Sequence, residues 1–309
     1  MKMVRTAFAL VALLQLAACG GGDVNSMPPP EPNPTPKPTP TSNPPISSLT
    51  PSQLQSIAIS QLQITVTTSS STGPVGVFPS DRNSSKQISV QYLGNNRYSV
   101  SAKYPLFAET IYYSDRSSYS ESDMDVFEKA GTQRVDQNSS YDSSLKIYRA
   151  GDSVLKLNYV TYGMWEEHQN RGDPRRAERL WFVIGQSTPY SGRPTSGSAT
   201  YHGIIDGEFV GGSSQFRLGG EGNLTYDFSR DHVAGTFNID QDDGSGGRKH
   251  FDTIKFNKPA TSANIKSENG FDGIFATYLM GPHAEEAAAL FTLETQFGGV
   301  AAGVFVGKR

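Results

Sequence analysis

Leu224-Thr225-Tyr226-Asp227-Phe228 and His232-Val233-Ala234-Gly235-Thr236-Phe237-Asn238-Ile239 alternate apolar and polar side chains on either side of Ser229-Arg230-Asp231. A period of two marks a strand with one face in a core and the other in water. The stretch therefore reads as two antiparallel strands joined by a tight turn. The pattern recurs outward in both directions. Gly197 to Gly203 carries Ala199 and Tyr201 on one face, and a further strand is expected near Glu208 to Val210 or Gln215 to Leu218. Phe251 to Asn257, Gly270 to Tyr278, Ala287 to Glu294 and Gly299 to Gly307 follow. That is about eight strands, in a region holding 19 of the 31 glycines. Glycine supplies the bulges and corners that a closing sheet requires. Residues 195–309 are expected to form a small eight-stranded antiparallel β-barrel filled by side chains. An open sandwich gives a similar pattern.

Upstream, Ile88 to Tyr92 and Tyr98 to Ala102 alternate around Leu93-Gly94-Asn95-Asn96-Arg97, a hairpin signature. A second hairpin is expected about Ala150-Gly151-Asp152, between Leu145–Tyr148 and Val154–Tyr159. Tyr159 to Trp165 and Leu180 to Ile184 read as two more strands, with the charged stretch Glu166 to Arg179 as a loop or hairpin tip. Residues 105 to 143 mix tyrosines with Ser and Asp and read as long loops carrying aromatics. The whole composition agrees with an all-β chain. With 31 Gly, 19 Pro, 14 Tyr and 16 Phe, it disfavours a helical fold. Only 36% of residues are hydrophobic, which excludes a multi-pass helical membrane protein. The net charge of −3, without a basic run, argues against a nucleic-acid partner.

The first eighteen residues read as a secretory signal: Lys2 and Arg5, then an apolar run from Ala7 to Ala18 broken only by Gln15. The run ends in Leu16-Ala17-Ala18-Cys19-Gly20, which resembles a bacterial lipobox. That resemblance implies that Cys19 becomes a lipidated N-terminus, and Gly20 in place of Asp favours the outer membrane. Cys19 is the single cysteine, so no disulfide forms within the chain. Acyl chains contribute about 0.8 kcal/mol per buried CH₂, and more than one is needed for stable anchoring. Between Pro28 and Pro45 ten residues are proline. Neither helix nor sheet can absorb such a run. Extended polyproline II gives residues 19–48 the character of a tether with a reach on the order of 55 Å.

Gly197-Ser198-Ala199-Thr200-Tyr201-His202-Gly203 resembles the opening barrel strand of the transferrin-binding protein B family. Phe271-Asp272-Gly273-Ile274-Phe275, Gly281-Pro282-His283-Ala284-Glu285-Glu286 and the ending Gly303-Val304-Phe305-Val306-Gly307-Lys308-Arg309 are similar to further motifs of that family. Thr161 to Trp165 and Phe182 to Pro189 resemble its short, single-lobe members. The resemblance implies a β-rich handle domain at 49–194 followed by the barrel at 195–309. It also implies display at the outer membrane surface and non-catalytic capture of an iron or haem carrier. Partners implied in turn are an extracellular protein or haem ligand, a TonB-dependent receptor and a surface-lipoprotein translocon. An adhesion or immune-evasion module binding a host regulator is the alternative.

The residues themselves give few candidate sites. Tyr112, Tyr113 and Tyr119 form the better interface cluster, because Tyr in loops is enriched at binding hot spots. Trp165 and Trp181 fall in predicted strands and read as core. His168 is the candidate haem ligand, since haem needs one His or Tyr and a pocket. No cofactor is expected beyond haem as a ligand. His202 and His232 read as barrel-surface residues, and His283 as part of a turn. The five histidines show no zinc spacing. Asp240 to Gly246 resembles a calcium loop but has Phe251 where a bidentate Glu belongs, so it reads as a hairpin loop. Glu285 and Glu286 are adjacent, point apart and read as turn or cap residues rather than an acid–base pair. No Gly-x-Ser-x-Gly elbow exists, and no hydrolase site is expected.

Overall fold

The computed structural model describes residues 63–69, 73–79, 88–95, 97–102, 110–114, 117, 123–133, 140–150, 155–169, 175–211, 214–242, 244–295 and 298–309. Cys19, the Pro-rich stretch and Tyr119 lie outside the described residues. No helix among the described residues is long and apolar enough to cross a membrane.

The protein is all-β. The N-terminal part contains strands β1 (Gln63–Ser69), β2 (Gly73–Pro79), β3 (Ile88–Gly94), β4 (Arg97–Ala102), β5 (Ile111–Tyr113), β6 (Met124–Gln133), β7 (Ser140–Tyr148), β8 (Val160–Gln169) and β9 (Arg175–Gly185). They form a six-stranded sheet in the order β2-β1-β9-β8-β7-β6 and a small sheet β3-β4-β5. A one-turn 3₁₀ segment at Tyr190–Gly192 leads to the second part. This comprises β10 (Ser198–Gly211), β11 (Ser214–Asp227), β12 (His232–Asp242), β13 (Arg248–Pro259), β14 (Asn264–Lys266), β15 (Asp272–Met280), β16 (Glu286–Glu294) and β17 (Val300–Lys308). Their order is β13-β12-β11-β10-β17-β16-β15-β14, antiparallel throughout. All described residues belong to one compact unit.

Alternation explains the barrel interior. Tyr201, Leu224, Phe237, Ile254, Phe275, Phe291 and Phe305 point inward and form one cluster, with Phe237 stacked on Phe305 at 4.6 Å. The barrel is nearly closed. Between β13 and β14 a clasp replaces a full ladder: a bridge Ile254↔Ser267, the Glu268 amide donating to Thr253 O, and the Lys255–Glu268 ion pair. The buried carboxylate of Asp252 accepts the Thr253 amide at 2.7 Å and the Asn269 amide at 3.2 Å, holding the β14–β15 turn onto β13.

Alternation fails in β16 and β17, which are buried on both faces. Ala287, Ala289, Phe291 and Phe305 face the barrel core. Ala288, Leu290, Val300, Ala302, Val304 and Val306 face outward onto the handle, against Tyr148, Tyr162, Met164, Trp181 and Val183. The handle sheet is sandwiched in the same way. Its opposite face, with Leu145, Trp165, Leu180 and Phe182, packs on Val90, Val100 and Ile111 of the small sheet. Strands buried on both faces read as continuous apolar runs, as in Ala287–Leu293 and Val300–Val306.

Several expectations are corrected. Residues 105–143 are not only loops, for β5, β6 and the start of β7 lie within them. Strand β7 pairs with β8, and the described residues 155–159 form no strand, the amides of Asn158, Tyr159 and Val160 going to a barrel carboxylate. The charged stretch 166–179 is largely strand: Glu166 lies opposite Arg179 in the ladder, so the two charges compensate each other there. Glu208–Val210 and Gln215–Leu218 are the two arms of one long hairpin, and the short β14 completes the eight. Trp165 and Trp181 are core, as expected.

Candidate functional site

The pairings place many hairpin connections at one end of the body. In the handle, β6–β7 and β8–β9 turn there; in the barrel, β10–β11, β12–β13, β14–β15 and β16–β17 do so. The Arg179–Glu208 ion pair ties the two sets of strands together near this end. The opposite end is fixed by Glu286 and by the bridge Ser187↔Met280.

Three of the residues singled out in the sequence map toward the hairpin end. Tyr112 sits on edge strand β5 and is 59% exposed, one of two large hydrophobic side chains so placed among the described residues. Lys129 donates from Nζ to its carbonyl at 3.4 Å. Tyr113 has a different fate: it is 2% exposed. Its hydroxyl donates to Ser143 Oγ at 2.8 Å and accepts from Trp165 Nε1 at 3.0 Å, and burial pushes its pKa up to about 12. Alternation along a strand separates the pair, one outward and one into the core. His168 lies in strand β8, opposite Asp142 and Ala177, rather than in a loop.

A second feature was not read from the sequence. On the outer face of β10, Asp206 is buried against the handle and accepts from four donors: Arg217 Nε at 3.2 Å, Arg217 Nη2 at 3.0 Å, the Tyr162 hydroxyl at 3.0 Å and the Gly207 amide at 2.9 Å. Burial raises the Asp206 carboxyl above its ordinary range, opposed by Arg217, Tyr162 and the Gly207 amide. Burial, then the Asp206 charge, raises Tyr162 well above the ordinary phenol. Arg179 lies between Glu166 and Glu208. Burial alone would lower its guanidinium, but the two carboxylates reverse that and hold it charged. Two cavities flank Arg217, of about 240 and 290 Å³, and both are walled by handle and barrel together. An acid in the apolar run Ile204-Ile205-Asp206 was the available signal, since a buried charge requires a partner.

Glu286 works at the other end. Its Oε1 accepts the Asn158 amide at 2.6 Å, and its Oε2 accepts the Tyr159 and Val160 amides at 2.8 and 3.0 Å. Burial raises its carboxyl, against those three amides and Lys308. Glu285 Oε2 accepts the His283 amide at 2.9 Å within the turn. Both are structural residues, as their adjacency suggested. Asp242 Oδ1 accepts the Gly244 amide at 2.9 Å, a hairpin-loop contact. Among the described residues no three His, Cys, Asp or Glu side chains are grouped to hold a metal.

No family model and no curated protein matches the sequence. Solved structures do. A transferrin binding protein B double mutant from Haemophilus parasuis matches at 13% identity and a TM-score of 0.33, covering 76% of this chain and 58% of that one. Transferrin binding protein B of serogroup B Neisseria meningitidis matches at 14% identity and a TM-score of 0.35, covering 76% of this chain and 56% of that one. The apo haemoglobin receptor HpuA from Kingella denitrificans matches at 15% identity and a TM-score of 0.36, covering 83% of this chain and 90% of that one. The match thus spans little more than half the length of those transferrin-binding chains. Similarity at this level assigns no ligand, and the functional reading rests on this chain's own residues.

Proposed function

We propose that the protein is a non-catalytic surface lipoprotein of the outer membrane that binds an extracellular iron or haem carrier. The observation that carries this reading is the fusion of handle and barrel into one body whose hairpins turn at a common end. A body of this kind gathers several hairpin connections at one end, as macromolecular recognition favours, and joins its two parts through a buried apolar seam. The rest of the reading is built from the sequence. Cys19 carries the lipid, the Pro-rich residues set the distance from the bilayer, and Tyr112 supplies an exposed aromatic contact. His168 stands near the same end and is the residue for haem, if haem itself is the cargo. A carrier so held is then passed to a TonB-dependent receptor.

The test is capture by the immobilised protein of transferrin, haemoglobin and haemin, each offered separately. The reading requires saturable capture of at least one. Tyr112→Ala should weaken that capture while leaving the melting curve unchanged, because the side chain is mostly in water. Recovery from serum of a host regulator, with none of the three probes bound, would replace it with the adhesion reading.

A further inference from the structure

We infer that the handle–barrel seam holds a separate site for a small zwitterionic ligand of dipeptide size, with its carboxylate on Arg248 beside Arg217. The cavity of about 290 Å³ has one wall from the handle, with Tyr148 and Tyr162, and one from β10 and β11 of the barrel. This is near the small end of the range for small-molecule sites. Its apolar lining includes Ile204, Ile205, Leu218 and Tyr148, the last stacked on Tyr162 at 4.7 Å.

Arg248 is the diagnostic residue. It is exposed at the start of β13, yet its guanidinium lies flat across a glycine of β11. A Cβ placed on Gly219 would meet its Cζ and both terminal nitrogens at 3.1 to 3.2 Å. A side chain there would make the planar group give by a few tenths of an ångström. Among the described residues no carboxylate pairs with Arg248. A guanidinium presents a rigid fork of donors suited to a carboxylate. Arg217 stands beside it, 53% exposed and anchored from behind by Asp206, and it lines this cavity and its neighbour.

The remaining charge decides the ligand class. Asp123 and Asp242 line the same cavity. With Asp206 taken up by Arg217, a purely anionic ligand would face the carboxylates of Asp123 and of Asp242, which lies opposite Arg248 in the β12–β13 ladder, and a purely cationic one would face Arg248. A molecule with one charge of each sign, and an apolar side chain for Tyr148 and Ile204, satisfies both sets. A free dipeptide is the simplest such ligand. The inference stands apart from the carrier-binding reading: it uses neither Tyr112 nor the hairpin end, and either can fail without the other.

Titration calorimetry with the dipeptide Ala-Phe tests it, with N-acetyl-phenylalanine amide and 3-phenylpropionate as comparators. Saturable heat is expected from Ala-Phe, with at least about tenfold weaker binding by each comparator. Arg248→Gln should weaken Ala-Phe about tenfold or more without lowering the melting temperature, since the side chain is exposed. Gly219→Ala, which makes the guanidinium shift by a few tenths of an ångström, should weaken it in the same direction by less. No saturable heat from Ala-Phe, equal binding of either comparator, or unchanged affinity in Arg248→Gln would each overturn the assignment.

Discussion

Glu286→Ala is the most informative single perturbation of this fold. The side chain crosses from the barrel to the handle and receives three consecutive amides. Asn158 is exposed and can turn its N–H to water, but Tyr159 and Val160 are buried. Truncation therefore orphans two buried donors, each costing about 1–3 kcal/mol. Removing a buried carboxylate returns part of that, and a net loss of about 3 kcal/mol is expected. At about 2–4 °C per kcal/mol for a unit of this size, the melting temperature should fall by about 6–12 °C. Because burial raises the Glu286 carboxyl, the negative charge itself is not what stabilises the seam. A neutral acceptor should then suffice. Glu286→Gln can present its carbonyl oxygen to both buried amides and should recover all but about 1 kcal/mol. Differential scanning calorimetry of the three proteins decides the matter. An alanine variant that melts within 2 °C of the parent, or a glutamine variant as damaged as alanine, would refute the amide-capture argument.

Tyr113→Phe leaves the Trp165 indole N–H without its acceptor in the handle core. It should cost about 1–3 kcal/mol in denaturant unfolding, with carrier capture unchanged. Asp252→Ala opens the clasp at the β13–β14 edge. Amide exchange should accelerate at Thr253 and Asn269, with a loss of about 2 kcal/mol. Lys258 adds a pH signature. Its ammonium donates to Ser262 O at 2.7 Å and stands 4.7 Å from the Phe275 ring, and burial pushes its pKa down from 10.5 to about 8. Between those values the unfolded chain binds the extra proton, so stability should rise with pH across that window. Lys258→Met should flatten the rise, as measured by chemical denaturation at a series of pH values.

The barrel was legible because its strands obey a period of two over most of their length, as in Leu224–Ile239. Strands β16 and β17 were also legible, though for another reason: sheets buried on both faces leave unbroken apolar runs. The handle was harder. Its charged segment Glu166–Arg179 looks like a loop until Glu166 and Arg179 are seen opposite each other in one ladder. Nothing local in Asn158-Tyr159-Val160 reveals that its amides are claimed by Glu286, more than 120 residues away. Tyr112 and Tyr113 form one cluster on the page, whereas a pleated strand sends them to opposite faces. Asp206 and Arg217 lie on the two arms of one hairpin, and Arg248, two strands further on, joins them only through strand pairing. Asp206, an acid following two isoleucines, was the one local signal, and it was not read.

Strand β17 follows the other described strands in sequence and sits inside the barrel sheet, between β10 and β16, with its outer face on the handle. Neither the handle's seam face nor strands β10 and β16 can be covered before residues 300–308 arrive. The two-part body consequently has no complete native state to reach until that strand has been made.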